Sequence, residues 1–199
     1  MNTEKINTET HNQYPVDKRI AKRVGQLLDH VCEKHNKILP VRFDVRYPKG
    51  YESSGDNKDI TKMIAKLIQH YTRLKIDTDY FWVREQKSSK NPHYHCAVFL
   101  DGNKTLNKEH VFKNASTYWQ STINSSNDKL IDKCNKSKDG TPHANGIPLI
   151  RSSDTYEANR EEVERQMGYP CKLDDKAAPK DGLRNFGMSR LPKSDSALR

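Results

Sequence analysis

The sequence is short of apolar residues. Only 33% of its 199 positions are hydrophobic and 8% aromatic, and even with glycine added the chain falls below the roughly 45–50% apolar share of ordinary soluble domains. Such a supply builds one core, not two, under a very polar surface. No apolar run approaches the ~20 residues of a membrane span, and the opening MNTEKINTETHNQ has no apolar stretch to serve as a signal peptide. Cysteines number four, Cys32, Cys96, Cys134 and Cys171. They stand far apart with no CxxC pair, which argues against a zinc ribbon and against a disulfide scaffold. A reduced, intracellular protein is expected. There is no GxxxxGK[ST] phosphate loop, so no ATP-driven motor is visible. What the chain has in excess is positive charge: 35 Lys and Arg against 26 Asp and Glu, a net charge of +9 and a pI of about 9.3. That balance points to a polyanionic partner.

Residues 1–15 read as a disordered arm ending at Pro15, 16–190 as one domain and 191–199 as a flexible basic tail. A helix is expected over 16–36, where Ile20, Val24, Leu27, Leu28 and Val31 recur at helical spacing. In VRFDVRY, 41–47, Val41, Phe43 and Val45 alternate with Arg42, Asp44 and Arg46, the pattern of a half-buried strand. A second helix over 58–75 carries Lys58, Lys62, Lys66 and Arg73 opposite its apolar stripe. Two strands, 80–85 and 93–100, flank a seven-residue loop and read as an antiparallel hairpin. A helix over 107–123, a loop over 124–146, a short strand near 147–151 and a helix over 154–168 capped by Ser153 or Asp154 complete the pattern. The last 20 residues look irregular. Strands and helices alternate around a hairpin, which predicts an α+β fold with a central, mainly antiparallel β-sheet and flanking helices.

In a strand, residues i and i+2 share a face, so His93 and His95 project together. If the hairpin is symmetric about Ser89, Glu85 lies directly opposite His93, with Cβ atoms about 4.5–5.5 Å apart. Two imidazoles and one carboxylate form a usable divalent-cation site with open positions. The rest of that face, Phe81, Val83, Ala97 and Phe99, is apolar. Polar groups at the end of such a face are costly unless something satisfies them. Further on, Tyr169 and Lys172 are one helical turn apart. A phenol has a pKa of about 10 and needs a nearby cation or metal to act as a nucleophile.

These pieces in this order, His93-Tyr94-His95 within HYHCAVFLDG and then Tyr169-Pro170-Cys171-Lys172, resemble the HUH endonucleases, the rolling-circle replication initiators. Within them the chain looks most like the inovirus-type replication proteins of filamentous phages and satellite elements, through VRFDVRY, YFWVREQ…HYHCAVFLDG and the late RNFGMSR at 184–190. The resemblance covers roughly residues 38–190. It implies an RRM/ferredoxin-like antiparallel sheet with helices packed around it. It also implies a divalent ion, Mg²⁺ or Mn²⁺, on Glu85, His93 and His95, with Tyr169 as nucleophile and Lys172 as the cation that stabilises developing charge. The implied partners are single-stranded or hairpin origin DNA, a host helicase and a host polymerase, in the cytoplasm of a bacterial host. The implied product is a 5′-phosphotyrosine link with a free 3′-hydroxyl. Pro170 disfavours helical geometry at the residue before it and predicts Tyr169 at a helix start. Tyr156, thirteen residues upstream, would be about 20 Å away along a helix, so a single-tyrosine enzyme is expected. Arg42, Arg84, Lys62, Lys66, Arg184 and Arg190 are candidate contacts to the DNA backbone, with Lys193 beyond them. Two other readings of the same residues stay open: a non-catalytic nucleic-acid-binding module of this fold, and a non-haem iron enzyme with a two-histidine, one-carboxylate site.

Overall fold

The computed structural model describes residues 15–86, 89–137, 139–173 and 182–192. The arm expected over 1–15 lies, Pro15 apart, outside the described residues, and so do Lys193 and the rest of the tail beyond Pro192. Asp17 caps helix α1 (Lys18–Lys34), its carboxylate accepting the N–H groups of Arg19 and Ile20 at 3.0 and 3.1 Å. Such a cap satisfies donors that the first turn cannot. Strand β1 (Lys37–Val45) follows, then α2 (Lys58–Arg73), β2 (Thr78–Glu85), β3 (His93–Asp101) and α3 (Lys108–Ile123). The predicted helices and the hairpin therefore stand, within a few residues at each end. Helix α4 (Tyr156–Gly168) begins after Thr155, not after Ser153 or Asp154, and runs into a single 3-10 turn, Tyr169–Cys171.

The fold is α+β, as expected. Six strands form one antiparallel sheet in the order β4-β1-β3-β2-β6, with β5 also on the outer edge of β1. Three of these strands are very short: β4 (Ile131–Asp132), β5 (Leu149–Ile150) and β6 (Phe186–Met188). β4 lies in the stretch read as loop, and β6 in the stretch read as irregular. Neither is long enough to display an alternation.

Helices cover both faces. On one, Ile60, Met63, Ile64 and Leu67 of α2 and Val111, Phe112, Ala115 and Trp119 of α3 pack on Val41, Phe43, Trp82, Tyr94 and Val98. On the other, α1 and α4 pack on Phe81, Val83, Ala97 and Phe99. This corrects the half-buried reading of β1. Arg42 and Asp44 are only 8% and 7% exposed, because the face they share lies under α1 and α4 and is not open to water. A polar alternation reports which residues share a face, not whether a second layer covers it.

Candidate metal centre

The hairpin register pairs Glu85 with His93 and Val83 with His95, as symmetry about Ser89 predicts. β1 pairs with the other edge of β3 and sets Asp44 opposite His95. Asp44, Glu85, His93 and His95 therefore come from three adjacent strands onto one face, at the end of the core under α1 and α4.

His95 stands between the two carboxylates. Its Nδ1 is 2.8 Å from Asp44 Oδ1 and its Nε2 is 2.5 Å from Glu85 Oε2. His93 lies beside it, with ring centroids 4.4 Å apart. The Nε2 of His93 is 3.8 Å from Asp44 Oδ2, and its Nδ1 is 3.9 Å from Glu85 Oε1. Burial by itself would lower the pKa of His95, but the hydrogen bonds to Asp44 and Glu85 raise it above the ordinary histidine value. Burial likewise opposes ionisation of Asp44, yet the two imidazoles and Arg42 hold its carboxyl well below the usual range.

Ligand atoms of Asp44, His93 and His95 all lie within 4.8 Å of one another, so this group can hold a metal ion. The donor set fits a divalent first-row metal or Mg²⁺. His93 Nε2 supplies a second indication: it is buried and has no hydrogen-bond partner, a state that costs free energy unless a ligand uses the atom. Metal binding would require the ligating nitrogens to shed their protons, so ion and proton compete for His95.

Tyr169 ends α4 and opens the 3-10 turn. Its φ of −54° and ψ of −46° are helical in spite of Pro170, which occupies the first residues of the new turn. The expected helix start is thus a junction between two helical turns. The ring stands edge-on to His95, with centroids 5.8 Å apart. The Arg42 guanidinium lies 4.6 Å from its centroid, and Lys172 Nζ lies 3.8 Å away. Glu85, His93, His95, Tyr169, Lys172 and Arg42 are thus brought together.

The other residues expected to grip DNA are elsewhere. Arg84 points to the opposite face of the sheet, where Asn57 Oδ1 accepts from it at 3.1 Å and Gln86 Oε1 at 2.5 Å. Lys66 donates to Ser121 and Thr122 of α3 at 2.8 and 3.3 Å. Lys62 is exposed on α2, and Arg184 and Arg190 are exposed on either side of β6. Asp44 is the member of the site that the sequence reading missed. Its signal was present: an acidic residue in a strand, on the same face as Arg42.

A family model, the YagK/YfjJ C-terminal domain, matches residues 2–189. No curated protein and no solved structure matches the chain. With nearly its whole length covered by that model, the chain belongs to the YagK/YfjJ C-terminal domain family.

Proposed function

We propose that the protein is a replication initiator that nicks single-stranded origin DNA by metal-assisted transesterification, the reaction implied by the resemblance of HYH and YPCK to the HUH endonucleases. The observation that carries this reading is the placement of Tyr169 against His95, 5.8 Å between ring centroids, beside a carboxylate and two imidazoles able to hold a metal. Asp44, His93 and His95 would hold the ion, with Glu85 within hydrogen-bonding reach of His95. When bound, Mg²⁺ or Mn²⁺ supplies Lewis-acid polarisation of the scissile phosphate.

The chain's own groups do the rest. The Tyr169 hydroxyl oxygen attacks phosphorus, the P–O3′ bond breaks, and the proton lost by the phenol is balanced by the one gained at O3′. The 5′-phosphate is left on Tyr169 with a free 3′-hydroxyl for a host polymerase. Lys172, whose Nζ lies 3.8 Å from the centre of the Tyr169 ring, would be the cation that offsets charge developing on the phenol oxygen. A 3′-hydroxyl attacking the phosphotyrosine reverses the step and rejoins the strand. Strand separation is left to a host helicase or to supercoiling.

The test is adduct formation. Labelled single-stranded DNA from the region flanking the gene is mixed with wild-type protein or Tyr169→Phe, in Mn²⁺ or EDTA. A denaturation-resistant adduct that needs both Mn²⁺ and Tyr169 is expected. An adduct persisting in Tyr169→Phe would move the nucleophile elsewhere, with Tyr156 examined next. No adduct with any divalent metal would leave a DNA-binding module as the better reading.

A further inference from the structure

We propose that Arg42 is a positioning residue: it seats the Tyr169 ring over the metal-ligand cluster by stacking its guanidinium on the phenol. This rests on the nicking reading above. It differs from the role expected of Arg42 from sequence, a contact to the DNA backbone.

The backbone at Arg42 is pinned. Asn145, itself 3% exposed, accepts the Arg42 N–H at 3.1 Å and donates to the Arg42 carbonyl at 2.6 Å. The same amide donates to the Lys133 carbonyl at 2.6 Å. One side chain thus occupies the outer edge of β1 between β4 and β5, and fixes where the Arg42 side chain departs.

From there the guanidinium joins the two halves of the site. One terminal nitrogen is 3.4 Å from Asp44 Oδ1, and the guanidinium carbon is 4.6 Å from the Tyr169 centroid. His95 and Lys172 also contact the ring, at 5.8 Å between centroids and 3.8 Å from Nζ to centroid. The Nε of Arg42 is buried without a hydrogen-bond partner. Burying an incompletely paired charge is costly, and a hydrophobic side chain of similar volume would avoid that cost. Arginine offers two things at once here, a partner for the Asp44 carboxylate and a planar cation for the Tyr169 face, and a hydrophobic side chain supplies neither. Arg42 is also only 8% exposed, which leaves little of it for a phosphate to reach.

The experiment uses the full chain with 3-fluorotyrosine placed at position 169, on wild-type, Arg42→Met and Arg42→Lys backgrounds. Methionine keeps much of the stem and removes the charge; lysine keeps a cation. The first readout is the ¹⁹F resonance of the metal-free protein, which needs no activity. Arg42→Met should move it toward the position of the unfolded protein, and Arg42→Lys should restore most of the shift. The second is single-turnover adduct formation at saturating DNA in Mn²⁺, alongside the affinity for an uncleavable strand. Arg42→Met should slow the adduct on the order of tenfold, the worth of one cation–π contact. Affinity should stay within threefold, and Arg42→Lys should recover most of the rate. An unchanged ¹⁹F resonance overturns the proposal. So does a loss confined to DNA affinity, which would make Arg42 a phosphate contact, and so does equal impairment of both variants. If wild type forms no adduct, the nicking reading falls while the fluorine spectra still decide whether Arg42 holds Tyr169.

Discussion

A single carboxylate shows how residue chemistry depends on its neighbours. Asp44 is nearly buried, yet it stays ionised because His93, His95 and Arg42 surround it. Remove that charge and the imidazoles lose both their anionic partner and one ligand atom. Asp44→Asn should therefore weaken Mn²⁺ binding by at least tenfold, as measured by titration calorimetry on metal-stripped protein. Full-strength binding in the variant would mean that Glu85, not Asp44, completes the site, as the sequence reading had it. The cysteines carry an opposite lesson. All four are buried and outside any disulfide, and burial pushes the Cys96 and Cys134 thiols up, away from the reactive thiolate. They behave as small apolar side chains, in keeping with the absence of any CxxC pair.

Among the elements, the long helices carry their own instructions. Ile20, Val24, Leu27, Leu28 and Val31 mark the buried stripe of α1 in the sequence and in the fold. The central hairpin does the same, because its alternation and its loop length jointly set the register. β5 falls within the short strand expected near 147–151, whereas β4 and β6 carry no such signal and exist because a longer neighbour offers them an edge. β6 is the clearest case. It pairs with Phe81, Trp82 and Val83 of β2, and Gly187 sits so close to the Trp82 indole that a Cβ would fall 2.6 Å from two ring carbons. A Trp ring under strand backbone cannot retreat far. Gly187→Ala should cost about 1–3 kcal/mol through overpacking, read from urea denaturation. No loss would show that β6 lifts from Trp82 at little cost.

At the scale of the whole molecule, two of the arginines expected to grip DNA lie on opposite faces of the sheet: Arg42 on the face under α1 and α4, Arg84 on the face where it meets Asn57. No helix among the described residues is long and apolar enough to cross a membrane. Electrostatics also ties layers together. Asp77, at the entrance to β2, meets Lys34 Nζ and, at 2.6 Å, His35 Nε2 at the end of α1. Burial opposes ionisation of Asp77, but Lys34 and His35 outweigh it and lower its pKa. A carboxyl depressed in the folded state stabilises above its unfolded value of about 3.9 and loses that contribution as pH falls through its folded value. The pair is partly exposed, so Asp77→Asn should cost under ~1 kcal/mol at pH 7 and nothing further at pH 2, by urea denaturation at both. An equal loss at the two pH values would assign the effect to packing. Much of this fold was legible beforehand. Periodicity placed α1 to α3 and β1 to β3, cap residues placed α4, and strand alternation put Glu85, His93 and His95 on one face, because those signals are local to each segment. The pairing of Asp44 with His95, the approach of Tyr169 to His95 and the contact of Arg42 with Tyr169 join residues 51, 74 and 127 positions apart. Only the pairing of β1 with β3 and the packing of α4 on the sheet decided them, since no local periodicity encodes which distant strand or helix will cover a face.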